Sequence, residues 1–149
     1  MSNLSRFMAY AAAFEQTFAD DDWSRLEPFF TEDVRYEVSG LPGACKLSGR
    51  EAVFRGIKKS LDGFDRRMTV RQIVPTAPPS EADGRVTLHG FVRYQREGTP
   101  PIELHATIVV DFAGERISHM HDTFTLDGPA MAWLGRHATD LDGSYVGPL

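Results

Sequence analysis

A chain of 149 residues, 42% hydrophobic and 25% charged, is sized for one domain with a real core and is too apolar for wholesale disorder. Its net charge of −5 and pI near 5.5 argue against nucleic acid or an anionic membrane surface as partner, because both demand a basic face. The single Cys45 excludes an internal disulfide and fits a reducing, cytoplasmic compartment; residues 1–8 carry one Arg and no apolar run, and no stretch nears the roughly 18 apolar residues of a membrane span.

In chain order, Leu4, Phe7, Ala11, Phe14 and Phe18 recur at spacings of three and four, which predicts a helix with one buried stripe. Asp20, Asp21 and Asp22 are N-cap candidates for a short second helix that buries Trp23, Leu26, Phe29 and Phe30, with Pro28 ending it early. Residues 33–38 alternate as a strand, with Val34, Tyr36 and Val38 on one face and Arg35 and Glu37 on the other. A loop is expected over residues 39–47. Ser48 and Glu51 then have capping-box spacing before a third helix striped by Val53, Ile57, Leu61 and Phe64.

Beyond residue 66 the period changes to two. Strands are expected over 68–74, 86–95, 102–111 and 116–126, the last three joined by short turns as an antiparallel meander, with a loop at 75–84. Asp127, Gly128 and Pro129 open a short helix that buries Met131, Trp133 and Leu134, and the Gly- and Asp-rich end from Thr139 is expected to be loosely held. Helices gathered first and strands gathered later give an α+β domain: three helices against a strongly curved antiparallel sheet, a cone with an apolar bottom and one pocket. Residues 1–149 read as that single domain, with no internal repeat or linker.

Four stretches carry a resemblance: residues 10–23, a helix running into an acidic turn before a Trp; 26–36 (LEPFFTEDVRY); 47–57 (LSGREAVFRGI); and 114–124 (GERISHMHDTF). Their order and spacing resemble the nuclear transport factor 2-like superfamily, in particular its polyketide-cyclase-like (SnoaL-like) members. The resemblance implies a cone-shaped α+β barrel that dimerises through its sheet. It does not imply one chemistry, since the superfamily includes isomerases, dehydratases, epoxide hydrolases and cyclases besides non-catalytic proteins.

Asp122 is the leading candidate for chemistry. Alternation places it with Met120 and Phe124, so one face holds a carboxylate among apolar side chains, where burial raises its pKa towards useful acid/base values. It matches the place where the family's cyclases and epoxide hydrolases carry an acid/base Asp. Tyr36 matches a tyrosine that the epoxide hydrolases use to hold water, but Val38 stands where those enzymes need an Asn, and their Arg-x-Asp pair is missing. Glu37 lies near the proton-shuttling carboxylate of the ketosteroid isomerases, and Tyr10 near their oxyanion tyrosine.

The pocket is expected to be lined by Tyr10, Phe14, Val38, Phe54, His89, His105, Met120, Phe124 and Trp133. The parity of His89 and His105 is open at this point, as is whether the Trp133 helix covers the pocket or packs on a second subunit. His119 and His121 have the opposite parity to Asp122 and are expected outside. No phosphate loop, nucleophile elbow or Cys/His cluster is present, so neither metal nor cofactor is expected, and Cys45 reads as an inert surface thiol. Two functions remain: a cofactor-independent acid/base enzyme acting on a small apolar or polycyclic organic molecule, or a non-catalytic ligand-binding or accessory dimer.

Overall fold

A computed structural model describes residues 1–146. Helix α1 (Asn3–Asp20) starts at Ser2, whose side chain accepts from the Ser5 amide, and ends at Asp21 in the left-handed region, whose amide donates to Thr17 O. Its stripe buries Phe7, Tyr10 and Thr17. The expected second helix is a 3₁₀ helix, Trp23–Phe29, with Pro28 inside it. Proline removes a backbone donor and crowds the preceding turn, which disfavours a regular α-helix in so short a segment.

The sheet has the order β2-β1-β7-β6-β5-β3, with β4 added beside β5. Its strands are β1 (Phe30–Ser39), β2 (Cys45–Ser48), β3 (Val70–Pro75), β4 (Ser80–Ala82), β5 (Arg85–Gln95), β6 (Ile102–Ala113) and β7 (Arg116–Thr125). The α+β class stands, and the β5–β6–β7 meander is antiparallel. Two details correct the sequence reading. Short strands β2 and β4 lie in segments expected to be loops, and β1 runs parallel to β7. Between Phe30 and Arg35 the β1–β7 register shifts, so the in–out alternation of β1 is regular only from Val34 onwards.

Helix α2 (Arg50–Gly63) begins at Gly49, which has φ +93° and no side-chain cap. The capping box expected from Ser48 and Glu51 therefore does not form, because Ser48 is the last residue of β2 and pairs with Arg35. Helix α3 (Gly128–His137) is capped as expected: Asp127 accepts from the Ala130 amide, and Pro129 occupies the first turn.

The core between helices and sheet centres on Phe7, Tyr10, Leu26, Phe30, Val34, Val53, Val86, Val110 and Ile117. A second cluster, Tyr94, Ile102, Leu104, Ala130 and Trp133, seats α3 on the other end of the sheet. Cys45 belongs to the core rather than the surface, and burial pushes its thiol pKa up. The tail after α3 is anchored: the Asp142 amide donates to Gly63 O, and Ser60 Oγ donates to Gly143 O at 2.6 Å. No helix among the described residues is long and apolar enough to cross a membrane.

Candidate functional site

Pairing β1 with β7 sets Tyr36 opposite Met120 and Val38 opposite Asp122. Tyr36, Val38, Met120 and Asp122 consequently share the face that meets the helices. The Tyr36 hydroxyl donates to Asp122 Oδ2 at 2.6 Å. The other carboxylate oxygen, Oδ1, is buried and has no hydrogen-bond partner among the described residues. Burial raises the Asp122 pKa to about 6, and the Tyr36 bond partly offsets that rise. Burial first, and then the nearby Asp122 charge, push both the Tyr36 and Tyr10 hydroxyls up, so both stay protonated.

A cavity of about 350 Å³ lies nearby, but neither Tyr36 nor Asp122 lines it. Its walls come from α2 and the following turn (Ser60, Phe64, Asp65), from the sheet (Tyr94, Leu104, Phe124), from α3 (Leu134, Ala138) and from the tail (Leu141 to Tyr145). Tyr145 stands between the cavity and the acid, since its ring lines the wall and lies 5.8 Å from the Tyr36 ring, nearly edge-on. At the far wall lies a second carboxylate–phenol pair. Tyr94 donates to Asp65 Oδ2 at 2.8 Å, and the Arg71 Nε donates to the same oxygen at 3.0 Å. Burial raises the Asp65 pKa despite Arg71, which also pairs with Glu15.

The expected lining residues divide. Phe124 lines the cavity. Val38 and Met120 are buried next to the Tyr36–Asp122 pair, while Tyr10, Phe14 and Phe54 pack with Phe30, Trp23 and one another in the apolar core rather than along the cavity. His89 and His105 are corrected to the outer face, where His89 bonds Thr107 and His105 stacks near Phe91. Their neighbours Leu88 and Leu104 point inwards, and a strand's period of two sends the histidines out. Trp133 is an anchor, not a wall: its Nε1 donates to Pro100 O, which leaves Leu134 and Ala138 to face the cavity.

His119 and His121 lie outside, bonded to Glu37 and Ser39. Glu37 thus points away from the cavity, and His119 holds its carboxyl below the usual range. No group of metal-ligating residues forms among the described residues. Sequence reasoning missed Asp65, Arg71, Tyr94 and Tyr145. Tyr94 shares the parity of Val92, but its strand carries apolar residues on both faces, so that parity alone did not point inwards. Tyr145 had no signal, being one aromatic in a polar tail.

The family model described as the SnoaL-like domain matches residues 10–120. No curated protein matches the chain. Among solved structures, Bal32a from a soil-derived mobile gene cassette is 21% identical, with 88% of this chain and 92% of that chain covered at a TM-score of 0.65. TerC, co-crystallized with polyporic acid, is 18% identical over 89% of this chain and 96% of that one, with a TM-score of 0.63. A putative SnoaL-like polyketide cyclase from Shewanella putrefaciens CN-32 is 12% identical over 83% and 80%, with a TM-score of 0.59. At these identities the likeness is one of fold.

Proposed function

The chain belongs to the SnoaL-like domain family, and from that premise we propose that it is a cofactor-independent acid/base enzyme acting on a small, mostly apolar organic molecule. The observation that carries this reading is the half-satisfied carboxyl of Asp122, with one oxygen bonded to Tyr36 and the other buried without a partner among the described residues. A buried polar atom without a partner is costly, so a site that keeps one calls for a reason beyond packing. With a pKa of about 6, Asp122 is mostly ionised at neutral pH and still close enough to exchange protons efficiently in both directions.

In this reading Asp122 Oδ1 takes a proton from carbon next to a substrate carbonyl, and the electron pair moves into the enolate oxygen. The same oxygen then returns the proton, at that carbon or at another atom. Tyr36 holds Oδ2 and fixes the orientation of the carboxyl. The apolar walls Leu104, Phe124 and Leu134 favour a substrate with little charge. The co-crystallization of TerC with polyporic acid agrees with an organic ligand in this fold.

The test is deuterium exchange from D2O into the α-carbon of an enolisable bicyclic ketone such as 2-tetralone, followed by NMR. The wild-type chain is expected to accelerate exchange above buffer, and Asp122→Asn to lose about a hundredfold of that acceleration. Equal exchange by both proteins would remove Asp122 from the chemistry.

One observation favours a second, non-catalytic binding reading. The 350 Å³ cavity is walled by Tyr145 and Phe124 and does not include Asp122 or Tyr36. In either reading a second copy on the outer sheet face is the expected partner, which light scattering tests by mass.

A further inference from the structure

The inner face of α2 presents Gly56, Ser60 and Gly63, and this shallow groove is occupied by the chain's own tail. A Cβ on Gly63 would stand 1.7 Å from Asp142 O, and one on Gly56 would stand 2.9 Å from Tyr145 O. Polar contacts hold the segment down. Ser60 donates to Gly143 O at 2.6 Å, and Lys59 Nζ donates to Asp142 Oδ2 at 3.0 Å and to Ser144 Oγ at 2.8 Å. So seated, the tail delivers the Tyr145 ring against Tyr36 and sets its hydroxyl beside those of Ser60 and Tyr36.

The anchors are all non-covalent: the buried Ser60 bond, the Asp142 backbone bond to Gly63 and an ion pair on the exposed side. Asp142 and Val146 are exposed, and Lys59 meets the tail through a carboxylate that is 67% exposed, so this ion pair adds little stability. Gly143 and Tyr145 are the inserted points, Gly143 against Phe64 and bonded by buried Ser60, the Tyr145 ring against Tyr36. That ring lines the cavity on one side and meets Tyr36, the partner of Asp122, on the other.

We propose that residues 141–146 form a displaceable plug, and that the Tyr145 phenol occupies the position of the substrate's own ring. The ligand class follows from what the plug satisfies: an aromatic or enolic ring carrying one hydroxyl, packed edge-on to Tyr36 with its oxygen among the Ser60 and Tyr36 hydroxyls. This inference rests on the reading of the cone as a small-molecule site. It also removes the obstacle to catalysis, because displacing Tyr145 joins the cavity to the Tyr36–Asp122 pair.

The experiment measures binding of 4-nitrophenol to the full chain by calorimetry, beside its Tyr145→Ala, Tyr145→Phe and Gly63→Ala variants. A ligand that binds only the open form has its affinity reduced by the open fraction. Tyr145→Ala empties the ring position, and Gly63→Ala expels the tail while Tyr145 is retained. Both are expected to bind about tenfold more tightly than wild type if the open form is roughly a tenth of the population. Tyr145→Phe keeps the ring but loses the hydroxyl, and is expected to bind between wild type and Tyr145→Ala.

Equal affinity in all four proteins, weaker binding by Tyr145→Ala, or no binding by any of them would overturn the plug. A melting curve for each variant separates loss of fold from loss of plug, and Tyr145→Ala carries the test alone if Gly63→Ala does not fold. Binding is read here, whereas the proton-transfer reading is judged by deuterium exchange. Unchanged binding alongside exchange that is lost in Asp122→Asn rejects the plug alone; tighter binding with exchange unaffected rejects the proton transfer alone.

Discussion

The Tyr36 hydroxyl on β1 donates to the Asp122 carboxylate on β7 at 2.6 Å, across the parallel pairing of the two strands. The second oxygen of Asp122 is buried and has no partner among the described residues. The pair is the point at which folding and chemistry pull in different directions, because the ionised form useful as a base is the form that burial penalises.

Asp122 makes the chain less stable at higher pH. The native carboxyl keeps its proton up to about pH 6, whereas the unfolded chain releases it near the usual 3.8. Between those values the native state binds more protons, so stability falls as pH rises through the window and stays reduced above it. Asp122→Asn is expected to be more stable than wild type at pH 8 by roughly 1–3 kcal/mol, with the difference shrinking towards pH 4. Urea unfolding at the two pH values measures it.

Tyr36→Phe removes the one bond that lowers the Asp122 pKa. The midpoint of Asp122, followed by carboxyl ¹³C NMR, is expected to move above its wild-type value of about 6. Any pH profile of deuterium exchange is expected to move up with it. A midpoint that stays put would mean that the hydroxyl does not stabilise the charge.

Asp65→Asn tests the far wall. Asp65 accepts from both Tyr94 and Arg71, and the Asp65 and Arg71 side chains are each only 12% exposed. Removing the carboxylate leaves Arg71 facing Glu15 alone, and breaking a buried pair in this way costs on the order of 3 kcal/mol. For a chain of this size that lowers Tm by roughly 10 °C. Calorimetry gives the value, and a shift under about 2 °C would assign Asp65 a role other than structure.

The inward face of β7 could be read from the sequence because Met120 and Phe124 flank Asp122 while His119 and His121 take the other parity. The same rule failed for His89 and His105. Their strands carry apolar residues on both faces, Phe91 and Val109 outside and Leu88, Leu104 and Ile108 inside, so periodicity alone did not separate the faces. The pairing of β1 with β7 was not visible either, since alternation shows which side chains share a face and not which strand lies alongside. The tail, expected to be loose from Thr139 on, is anchored at Asp142 and Gly143, while residues 147–149 lie outside the described residues. Its Gly- and Asp-rich composition signals a loose end, yet its position depends on two glycines of α2, Gly56 and Gly63, that only matter once the backbones meet.

The parallel pairing of β1 with β7 also bears on how the chain acquires its site. Tyr36 and Asp122 are 86 residues apart in sequence, so the bond between them closes a long loop. Contacts of such separation carry a large closure entropy and slow folding relative to local ones. The neighbouring hairpins β5–β6 and β6–β7 need no such search. A nascent chain that has made α1, α2 and β1 therefore holds the phenol without the carboxylate, and the pair forms only with the final long strand.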